Sequence, residues 1–392
     1  MRSSKQLFLQ YVAQTSPAPL ALHIERADGM WLYGPDGQRW LDLISGIGPS
    51  VLGHNHPEIK AAVQAQLERY WHTMVYGEYI LSPQVELATL LAELTPGLDS
   101  TYYVNSGAEA VEGAMKLAKR YTGRSGFAAC RYAYHGSTHG PASLMSPADF
   151  TLPYYPMLPG IRHISFNCDI CLERIDASVA AVIVETIQGE AGVLTPRPEW
   201  LRALRQRCTE VGALLVFDEI QAAYGRTGYL FAFERYGVAP DILLLGKGFG
   251  GGMPAAAFLA RREVMACLSE NPVLGHITTF GGHPVCIAAA LRTLQILRDM
   301  PLLQIASEKE ALFRSLLRHP AIRELRSAGL WLAVDLDDAE KVRRCIAYCV
   351  AHGVVTDWFL FNDRSIRIAP PLTISEAEIR FACQTLLAGL EG

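Results

Sequence analysis

The sequence has no long uninterrupted run of apolar residues and no excess of charge of either sign. No run approaches the roughly 18 apolar residues that a membrane span requires, and residues 1–10 lack the apolar core of a signal peptide. The chain carries 35 Lys and Arg against 39 Asp and Glu, which gives a formal net charge of -4. This balance provides no electrostatic basis for binding nucleic acid. We therefore expect neither a membrane nor nucleic acid among its partners.

The sequence also lacks a regular cysteine framework. Its nine cysteines are odd in number and scattered, which favours a reducing compartment, and we expect a cytoplasmic protein. Cys345 and Cys349 continue an apolar pattern that begins at Val342 and recurs with the period of a helix. This pattern favours one buried helical stripe over a metal or redox role. Cys168 and Cys171 form a C-x-x-C pair without a second such pair, which argues against a zinc site.

A chain of 392 residues that is 50% hydrophobic is long enough for two or three structural units. In its middle part, helical segments such as 108–121 and 199–211 separate short apolar runs bounded by turn residues. These runs predict strands at 102–104, 127–130, 180–184, 214–217, 242–245 and 255–258. Buried strands that alternate with helices indicate an α/β fold with a mostly parallel sheet covered on both faces. Ligands bind such sheets at the carboxyl ends of the strands.

The two ends of the chain predict a smaller second domain. Residues 30–43 have the pattern of a hairpin, with a turn at 35–37 between two apolar runs. Helical patterns at 284–298 and 302–318 lead into a short α+β region that starts near 322. We predict that 1–49 belong to the small domain, that 50–285 form the large domain, and that 286–392 provide a linking helix and the rest of the small domain.

Lys247 follows a predicted buried strand and has glycine on both sides. Burial lowers the pKa of an ammonium group, and a neutral amine is the nucleophile that forms Schiff bases with aldehydes. Segment 246–251 also fits the dinucleotide fingerprint G-x-G-x-x-G, but a strand pattern rather than a helix follows it. A P-loop is excluded because residue 248 is glycine rather than Ser or Thr. A purely structural lysine is the remaining alternative.

Asp218 lies at the end of another predicted strand, 214–217. A buried carboxylate at a strand end needs a cationic partner, and the protonated ring nitrogen of a pyridoxal cofactor would provide one. Taken alone, the pair formed by Asp218 and Glu219 could equally be a metal site or a helix cap.

Three further segments carry candidate binding residues. Ser106 precedes the predicted helix at 108–121, whose free amides could hold a phosphate, although Ser106 and Glu109 also fit a capping box. Tyr134 follows the strand that ends at 130 and could stack on a flat ring. Arg367 is flanked by isoleucines in a strand pattern and must find an anion, either an internal carboxylate or that of a substrate.

Taken together, these segments resemble the class III aminotransferases (the ornithine, acetylornithine and 4-aminobutyrate enzymes) of the fold-type I pyridoxal-phosphate enzymes. The resemblance extends from 46 to 371, nearly the whole chain. It rests on ordered motifs at 52–54 (LGH), 105–110 (NSGAEA), 134–136 (YHG), 184–190 (VETIQGE), 218–221 (DEIQ), 225–228 (GRTG), 245–248 (LGKG), 279–282 (TFGG) and 367–371 (RIAPP). It implies a large domain with a seven-stranded, mostly parallel sheet, a small α+β domain, and pyridoxal 5'-phosphate as cofactor.

The resemblance also implies which residues would contact the ring of the cofactor. Lys247 would carry the cofactor as a Schiff base and shuttle the substrate proton, and Asp218 would bind the pyridine nitrogen. Gln221 would bind the phenolic oxygen. Tyr134 would stack on the ring, with His135 of the same motif also in the cofactor site.

For the phosphate, the resemblance implies a cradle formed by Ser106, Gly107 and Ala108. Thr279 would reach the phosphate from the partner subunit. A site that a neighbouring subunit completes implies an obligate homodimer.

Glu190 and Arg367 match the pair of residues that lets the family accept two substrates. With an amine donor bound, Glu190 would neutralise Arg367; with glutamate or 2-oxoglutarate bound, Arg367 would turn to the α-carboxylate. The resemblance therefore implies transfer of an ω-amino group from an amino acid or diamine to 2-oxoglutarate in a ping-pong cycle. An amino-acid racemase or an aminomutase is the first alternative, and a pyridoxal-binding protein without catalysis is the second.

The sequence departs from the family where the donor binds. Acetylornithine, ornithine and 4-aminobutyrate enzymes carry an arginine directly after the motif at 134–136, and this chain has Ser137 there. The identity of the donor therefore stays open. His54 and His56 have the spacing of metal ligands, but they lie in a loop motif that the family shares without a metal, and we expect no metal.

Overall fold

The N-terminal segment builds one small sheet. The structure, a computed structural model, describes residues 2–391. Helix α1 (Ser4–Tyr11) precedes three antiparallel strands, β1 (Arg26–Asp28), β2 (Trp31–Tyr33) and β3 (Arg39–Asp42). A single 3₁₀ turn at Pro35–Gly37 joins β2 to β3, and Gly37 has a φ of 77°, which glycine adopts without steric cost. The predicted hairpin is confirmed.

The central sheet has seven strands. They are β4 (Ser100–Val104), β5 (Gly126–Cys130), β6 (Ile161–Ile164), β7 (Val179–Glu185), β8 (Leu214–Asp218), β9 (Ile242–Leu245) and β10 (Ala256–Ala260), in the order β4-β10-β9-β8-β7-β5-β6. Only β10 runs antiparallel to its neighbours. The predicted α/β class and the six predicted strands are confirmed. Strand β6 was not located from the sequence because this short edge strand contains Arg162 and His163 and is only half-buried.

Seven helices surround this sheet or connect its strands. They are α2 (Pro57–Arg69), α3 (Ser82–Leu94), α4 (Gly107–Thr122), α5 (His139–Ser143), α6 (Pro198–Val211), α7 (Arg262–Met265) and α8 (Pro284–Arg298). Helix α9 (Leu302–Leu316) follows and packs against the last helix, 376–391. Along β7, Ala181 and Ile183 join the core cluster that includes α4, whereas Val182 and Val184 join the other cluster. This alternation follows the two-residue period of a strand. Both faces of the sheet are therefore covered, and ligands have access only at its edges and ends.

The C-terminal part forms a third sheet, which is antiparallel. Strands β11 (Glu324–Ser327), β12 (Leu332–Asp335), β14 (Asp357–Phe359) and β15 (Asn362–Ile368) pair in the order β11-β12-β15-β14, with helices α10 (Ala339–Ala351) and α11 (Glu376–Glu391). Strand β13 (Val354–Val355) instead joins β3 in parallel. The expected small α+β unit is present. The domain limits after 49 and 285 stay a prediction.

The cysteines differ from the sequence-based expectation at one place. Cys345 and Cys349 are buried on α10, as the helical period predicts. Cys168 and Cys171, in contrast, form a disulfide bond with a Cα–Cα distance of 5.4 Å. The scattered distribution of cysteines gave no indication of this bond, because a lone C-x-x-C spacing does not distinguish paired from free thiols. Within residues 2–391, no helix combines the length and apolar character needed to cross a membrane.

Candidate active site

Residues at the carboxyl ends of neighbouring strands line one cavity. Glu185 ends β7, Asp218 ends β8, Lys247 follows β9 and Tyr134 follows β5. Parallel pairing of β5, β7, β8 and β9 brings these ends together. The cavity measures about 440 Å³ and is called the inner cavity here. Its lining also includes Gly107, Ala108, His135, Ser137, Glu190 and Gln221.

Lys247 has an unusual backbone conformation. Its φ of 48° lies in the left-handed region, which residues with a side chain rarely adopt. Such conformations cluster at functional sites, where the surrounding fold enforces them. The amine of Lys247 donates a hydrogen bond to Oε1 of Gln221. Burial lowers the pKa of Lys247, although nearby Glu190 opposes this effect, so a neutral, nucleophilic amine forms more readily than on a free lysine.

Asp218 is held firmly with its carboxylate on the cavity wall. Its Oδ2 lies 2.6 Å from Nδ1 of His135, and its Oδ1 accepts a hydrogen bond of 3.1 Å from the backbone N–H of Ile220. Both Asp218 and His135 are buried. Within residues 2–391, His135 is the only side chain that hydrogen-bonds to the carboxylate of Asp218. A cationic group that enters the cavity therefore meets an oriented carboxylate.

The neighbouring Glu219 has a different function in the fold. Its carboxylate accepts hydrogen bonds from the hydroxyl of Thr186 at 2.7 Å and from the backbone N–H groups of Ala232 and Phe233 at 2.7 and 2.6 Å. Burial raises the pKa of Glu219 to about 7. The acidic pair in the sequence thus divides into a cavity residue, Asp218, and a residue that fixes the loop at 231–233. The part of the chain that the structure describes contains no cluster of three potential metal ligands.

The N-terminus of α4 reaches the inner cavity through Gly107 and Ala108. A Cβ atom at Gly107 would lie 2.8 Å from Cδ1 of Ile220, so only glycine permits this close approach. Ser106 is the N-cap, and its hydroxyl accepts a hydrogen bond of 3.2 Å from the N–H of Glu109.

The predicted capping box at this helix is only half formed. The carboxylate of Glu109 accepts from the N–H of Asn105 at 2.7 Å instead of from that of Ser106. Capping accounts for Ser106 and Glu109, while the remaining free amides of the first turn stay available to an anion.

Glu185 is a cavity residue to which the sequence analysis gave no role. Its carboxylate accepts hydrogen bonds from the backbone N–H groups of Tyr134 at 3.2 Å and Gly189 at 3.0 Å. Burial, reinforced by the nearby Asp218, raises the pKa of Glu185 well above its usual value. An acidic residue directly after the apolar run 180–184 was the available signal, since Asp218 follows its own strand in the same way.

The structure brings Glu190 and Arg367 together, and this pair is called the switch pair here. Oε1 and Oε2 of Glu190 accept bidentate hydrogen bonds of 2.7 and 2.9 Å from Nη1 and Nη2 of Arg367. Arg367 also donates to the backbone oxygen of Trp358 at 2.9 Å, and Glu190 accepts from the N–H of Leu360 at 2.8 Å. Burial opposes ionisation of Glu190, but Arg367 outweighs it and keeps the pKa of this carboxyl below its usual value.

Arg367 has a second acidic neighbour, Asp357, which the sequence analysis missed. Oδ1 of Asp357 lies 2.9 Å from Nε of Arg367. Asp357 begins the three-residue strand β14, where no apolar run or motif marks it. One guanidinium therefore faces two carboxylates.

A second space opens beside the inner cavity and is called the outer cleft here. It measures about 710 Å³, and Tyr134, Ser137, Glu190 and Lys247 line both spaces, which makes them continuous. The hydroxyls of Tyr134 and Ser137 lie 2.9 Å apart. Apolar and aromatic side chains form most of the remaining wall, among them Ile47, Met145, Phe150, Tyr154 and Leu360.

Three of the predicted site residues do not line the inner cavity: Arg367, which lines the outer cleft, Ser106 and Thr279. Ser106 is exposed and serves as the helix cap. Thr279 lines a separate cavity of about 300 Å³ with Glu109, Glu112 and His276. The prediction for Thr279 concerns the site of a partner subunit, and it stays a prediction.

The family model of the class-III aminotransferases matches residues 11–390. The chain belongs to this family. As a class-III aminotransferase, it acts on small amino and keto substrates, and its cofactor is pyridoxal 5'-phosphate.

Solved structures of transaminases resemble this class-III aminotransferase along its whole length. An ornithine aminotransferase from Toxoplasma gondii, crystallised with partial occupancy of pyridoxal phosphate, is 31% identical, covers 98% of this chain and 93% of its own, and has a TM-score of 0.91. An (S)-enantioselective omega-transaminase from Thermomicrobium roseum is 28% identical over 100% and 98%, with a TM-score of 0.88. A pyridoxal-phosphate-bound amine transaminase from an uncultivated Pseudomonas species is 27% identical over 97% and 96%, with a TM-score of 0.87.

The residues of the inner cavity fit the cofactor of this class-III aminotransferase at three points. Lys247 offers a buried amine whose pKa is lowered, as attachment to an aldehyde requires. Asp218 offers an oriented carboxylate for a ring cation. The first turn of α4 offers backbone amides for a phosphate. Gly107 lies so close to Ile220 that a side chain at this position would clash, and the turn is therefore open at that point.

Proposed function

We propose that this enzyme transfers the ω-amino group of an amino acid or a diamine to 2-oxoglutarate in a ping-pong cycle. The observation that carries this proposal is the switch pair, because Glu190 lines both the inner cavity and the outer cleft, and its partner Arg367 lines the outer cleft. One pocket must accept a donor without a carboxylate next to the reacting amine and then an acceptor that has one. A cation that can be either neutralised or exposed meets both requirements.

The reacting end of the site consists of Lys247, Asp218 and His135. When bound, pyridoxal phosphate supplies an electron-withdrawing ring that stabilises negative charge on the reacting carbon of the donor. Lys247 would hold the cofactor between turnovers. Its Nζ would move a proton from that carbon to the cofactor in the first half-reaction, and from the cofactor to the reacting carbon of the acceptor in the second. Asp218, oriented by Nδ1 of His135, would pair with the ring nitrogen and keep it protonated.

Other residues of the inner cavity orient the cofactor. Gln221, which contacts the amine of Lys247, is close enough to the reacting end to bind the phenolic oxygen. Tyr134, which lines the same cavity, would stack on the ring. The amides of Gly107 and Ala108 would hold the phosphate at the N-terminus of α4, with Ser106 as the residue that caps this turn.

The switch pair changes its arrangement between the two half-reactions. With the donor bound, Glu190 neutralises Arg367. With 2-oxoglutarate bound, the α-carboxylate replaces Glu190 at Nη1 and Nη2. Arg367 keeps its contacts with Trp358 and Asp357. Within residues 2–391, the carboxylate of Glu190 otherwise accepts a hydrogen bond only from the N–H of Leu360. Glu190 is therefore the member of the pair that moves.

The assembly that we propose is a homodimer in which Thr279 enters the site of the partner subunit. Apolar side chains are exposed on two segments near Thr279: Ile80 is 92% and Phe280 54% exposed. The segment that contains Ile80 also contains His72, whose ring lies 5.0 Å from the ring of Phe280. The two segments therefore share one surface. An apolar surface of this kind is typical of a protein interface. We place the enzyme in the cytoplasm because seven of its nine cysteines are free thiols.

A panel of amine donors tests the proposed reaction. Each donor is incubated with the enzyme, pyridoxal phosphate and 2-oxoglutarate, and glutamate is measured alongside the carbonyl product. We expect one glutamate for each donor consumed. Pyruvate and oxaloacetate serve as control acceptors. An enzyme that racemises one enantiomer of an amino acid without an acceptor, and forms no glutamate, would contradict the proposal in favour of a racemase.

A further inference from the structure

Asp357 has an unusual environment for a carboxylate beside the switch pair. Its Oδ1 lies 2.9 Å from Nε of Arg367, but this oxygen is buried without a well-aligned hydrogen bond. Within residues 2–391, no group donates a hydrogen bond to Oδ2. The side chain keeps 24% of its surface exposed and lines the outer cleft. Asp357 therefore offers an acceptor to whatever occupies that cleft.

The charges around the outer cleft do not balance. Among the described residues that line it, the charged groups are Lys247, Arg367, Glu190 and Asp357. Lys247 is assigned to the cofactor, so two carboxylates face one guanidinium, with an excess of one negative charge. Burial raises the pKa of Asp357 to about 6, and Arg367 counteracts this rise. The carboxyl of Asp357 is consequently ionised at pH 8, where aminotransferase reactions can be followed.

The rest of the outer cleft suits an alkyl chain that ends in a cation. Its apolar wall accommodates methylene groups. The exposed ring faces of Tyr154 and Trp358 can attract an ammonium. The cleft has no free cation for a distal carboxylate, because Ser137 is neutral and Arg367 is already paired within the described chain.

We propose that Asp357 is a specificity-determining residue that binds an ammonium group at the far end of the donor. This inference rests on the proposed function and narrows its donor class. The enzyme then prefers diamines to ω-amino acids whose far end is a carboxylate. The aromatic wall and the neutral Ser137 support the same preference.

Three donors of similar length isolate the far end of the substrate: 1,4-diaminobutane ends in an ammonium, 4-aminobutyrate in a carboxylate, and butylamine in a methyl group. The donor half-reaction of the holoenzyme is followed at pH 8 by the loss of absorbance of the Lys247-bound cofactor, without any acceptor. We expect kcat/KM to be highest for the diamine and lowest for 4-aminobutyrate, with a difference of about tenfold or more, the effect of one favourable charge contact.

The variant Asp357→Asn removes the charge and keeps the shape of the side chain. We expect the ratio of the diamine rate to the butylamine rate to fall about tenfold. The ratio of the 4-aminobutyrate rate to the butylamine rate should rise. Asp363→Asn is the matched control, because Asp363 is an exposed carboxylate on β15 that lines neither space. This control should leave both ratios unchanged.

The outcomes separate this inference from the proposed function. A wild-type enzyme that prefers 4-aminobutyrate or butylamine overturns the inference and leaves the aminotransferase reaction intact. Unchanged ratios in Asp357→Asn also overturn it. An enzyme whose absorbance responds to none of these or other amines contradicts the proposed function itself, and the inference with it.

Discussion

The inner cavity and the outer cleft are adjacent, but they are built in different ways. The inner cavity lies at the ends of buried parallel strands, and Asp218 and Glu185 each occupy the last position of one of them. The outer cleft is formed by loops and by the short strand β14, with Phe150, Tyr154 and Asp357 from segments distant in sequence. The carboxylates of Asp218 and Glu185 in the inner cavity accept well-aligned hydrogen bonds, whereas Oδ1 of Asp357 contacts Arg367 without one.

This difference separates reactivity from choice of substrate. The carboxyl ends of rigid strands hold the groups that every turnover requires, and loops hold the groups that contact the variable end of the donor. Changes in the inner cavity should therefore affect all donors alike, and changes in the outer cleft should affect one donor relative to another.

The largest effect is expected for Lys247→Ala in the inner cavity. Turnover should be abolished for every donor, because no other amine in the cavity lining can hold the cofactor or transfer the proton. The variant should still fold and bind the cofactor noncovalently, which circular dichroism and dialysis against pyridoxal phosphate would measure. Retained transaminase activity in this variant would remove the basis for assigning the reaction to this cavity.

A smaller but still large effect is expected for Asp218→Asn. Loss of the negative charge opposite the ring nitrogen should lower the single-turnover rate about 10²–10³-fold, or roughly 3–4 kcal/mol, for all donors. Glu219→Gln is the matched control, because Glu219 is the next residue but points away from the cavity. The control should change the melting temperature rather than the rate. Weaker cofactor affinity with an unaltered rate in Asp218→Asn would show that Asp218 is only an anchor.

The switch pair, of which Glu190 lines both spaces, should show an effect that differs between the two half-reactions. Arg367→Ala should raise the activation free energy of the half-reaction with 2-oxoglutarate by about 2–5 kcal/mol, the contribution of a buried charge pair. The activation free energy of the donor half-reaction should change less. Glu190→Ala leaves Arg367 without its bidentate partner, so glutamate should compete better against the ω-amine donor. Stopped-flow measurement of each half-reaction checks both. Equal slowing of both halves by both variants would indicate a purely structural ion pair.

The smallest effect, and one that depends on the far end of the donor, is expected for Ser137→Arg. The added guanidinium should raise kcat/KM for donors that end in a carboxylate, such as 4-aminobutyrate, by about tenfold. The rate with butylamine provides the internal reference. Ser137→Thr is the matched control, because it keeps the hydroxyl that lies 2.9 Å from Tyr134 and adds no charge. An equal change for all donors would contradict the assignment of reactivity to the inner cavity and of substrate choice to the outer cleft.

The same comparison explains what the sequence could predict. Lys247 and Asp218 follow apolar runs that buried strands require, so local pattern alone located the strands and the groups at their ends. The seventh strand at 161–164 was missed because its polar residues and edge position leave no apolar run. Glu190 and Arg367 were paired through the family resemblance, since a separation of 177 residues has no local signal.

The contacts that sequence reasoning missed depend on how distant segments pack. Trp331 lies against Gly189, where an added Cβ would be only 2.5 Å from the indole ring. The sequence around these two residues has no pattern that predicts this contact. Asp357 acquires its position from the pairing of β14 with β15, which places it opposite Arg367. Such residues can be identified only when the packing of these distant segments is known.

The central claim is that one pocket serves two half-reactions, and single-turnover absorbance tests it most directly. The pyridoxal-phosphate-loaded enzyme receives an amine donor, is freed of excess donor by gel filtration, and then receives 2-oxoglutarate. We expect the absorbance of the Lys247-bound cofactor to disappear with the donor and to return fully with 2-oxoglutarate, with one glutamate released per site. Absorbance that never changes with any donor, or that is not restored by 2-oxoglutarate or any other 2-oxo acid, would contradict the account.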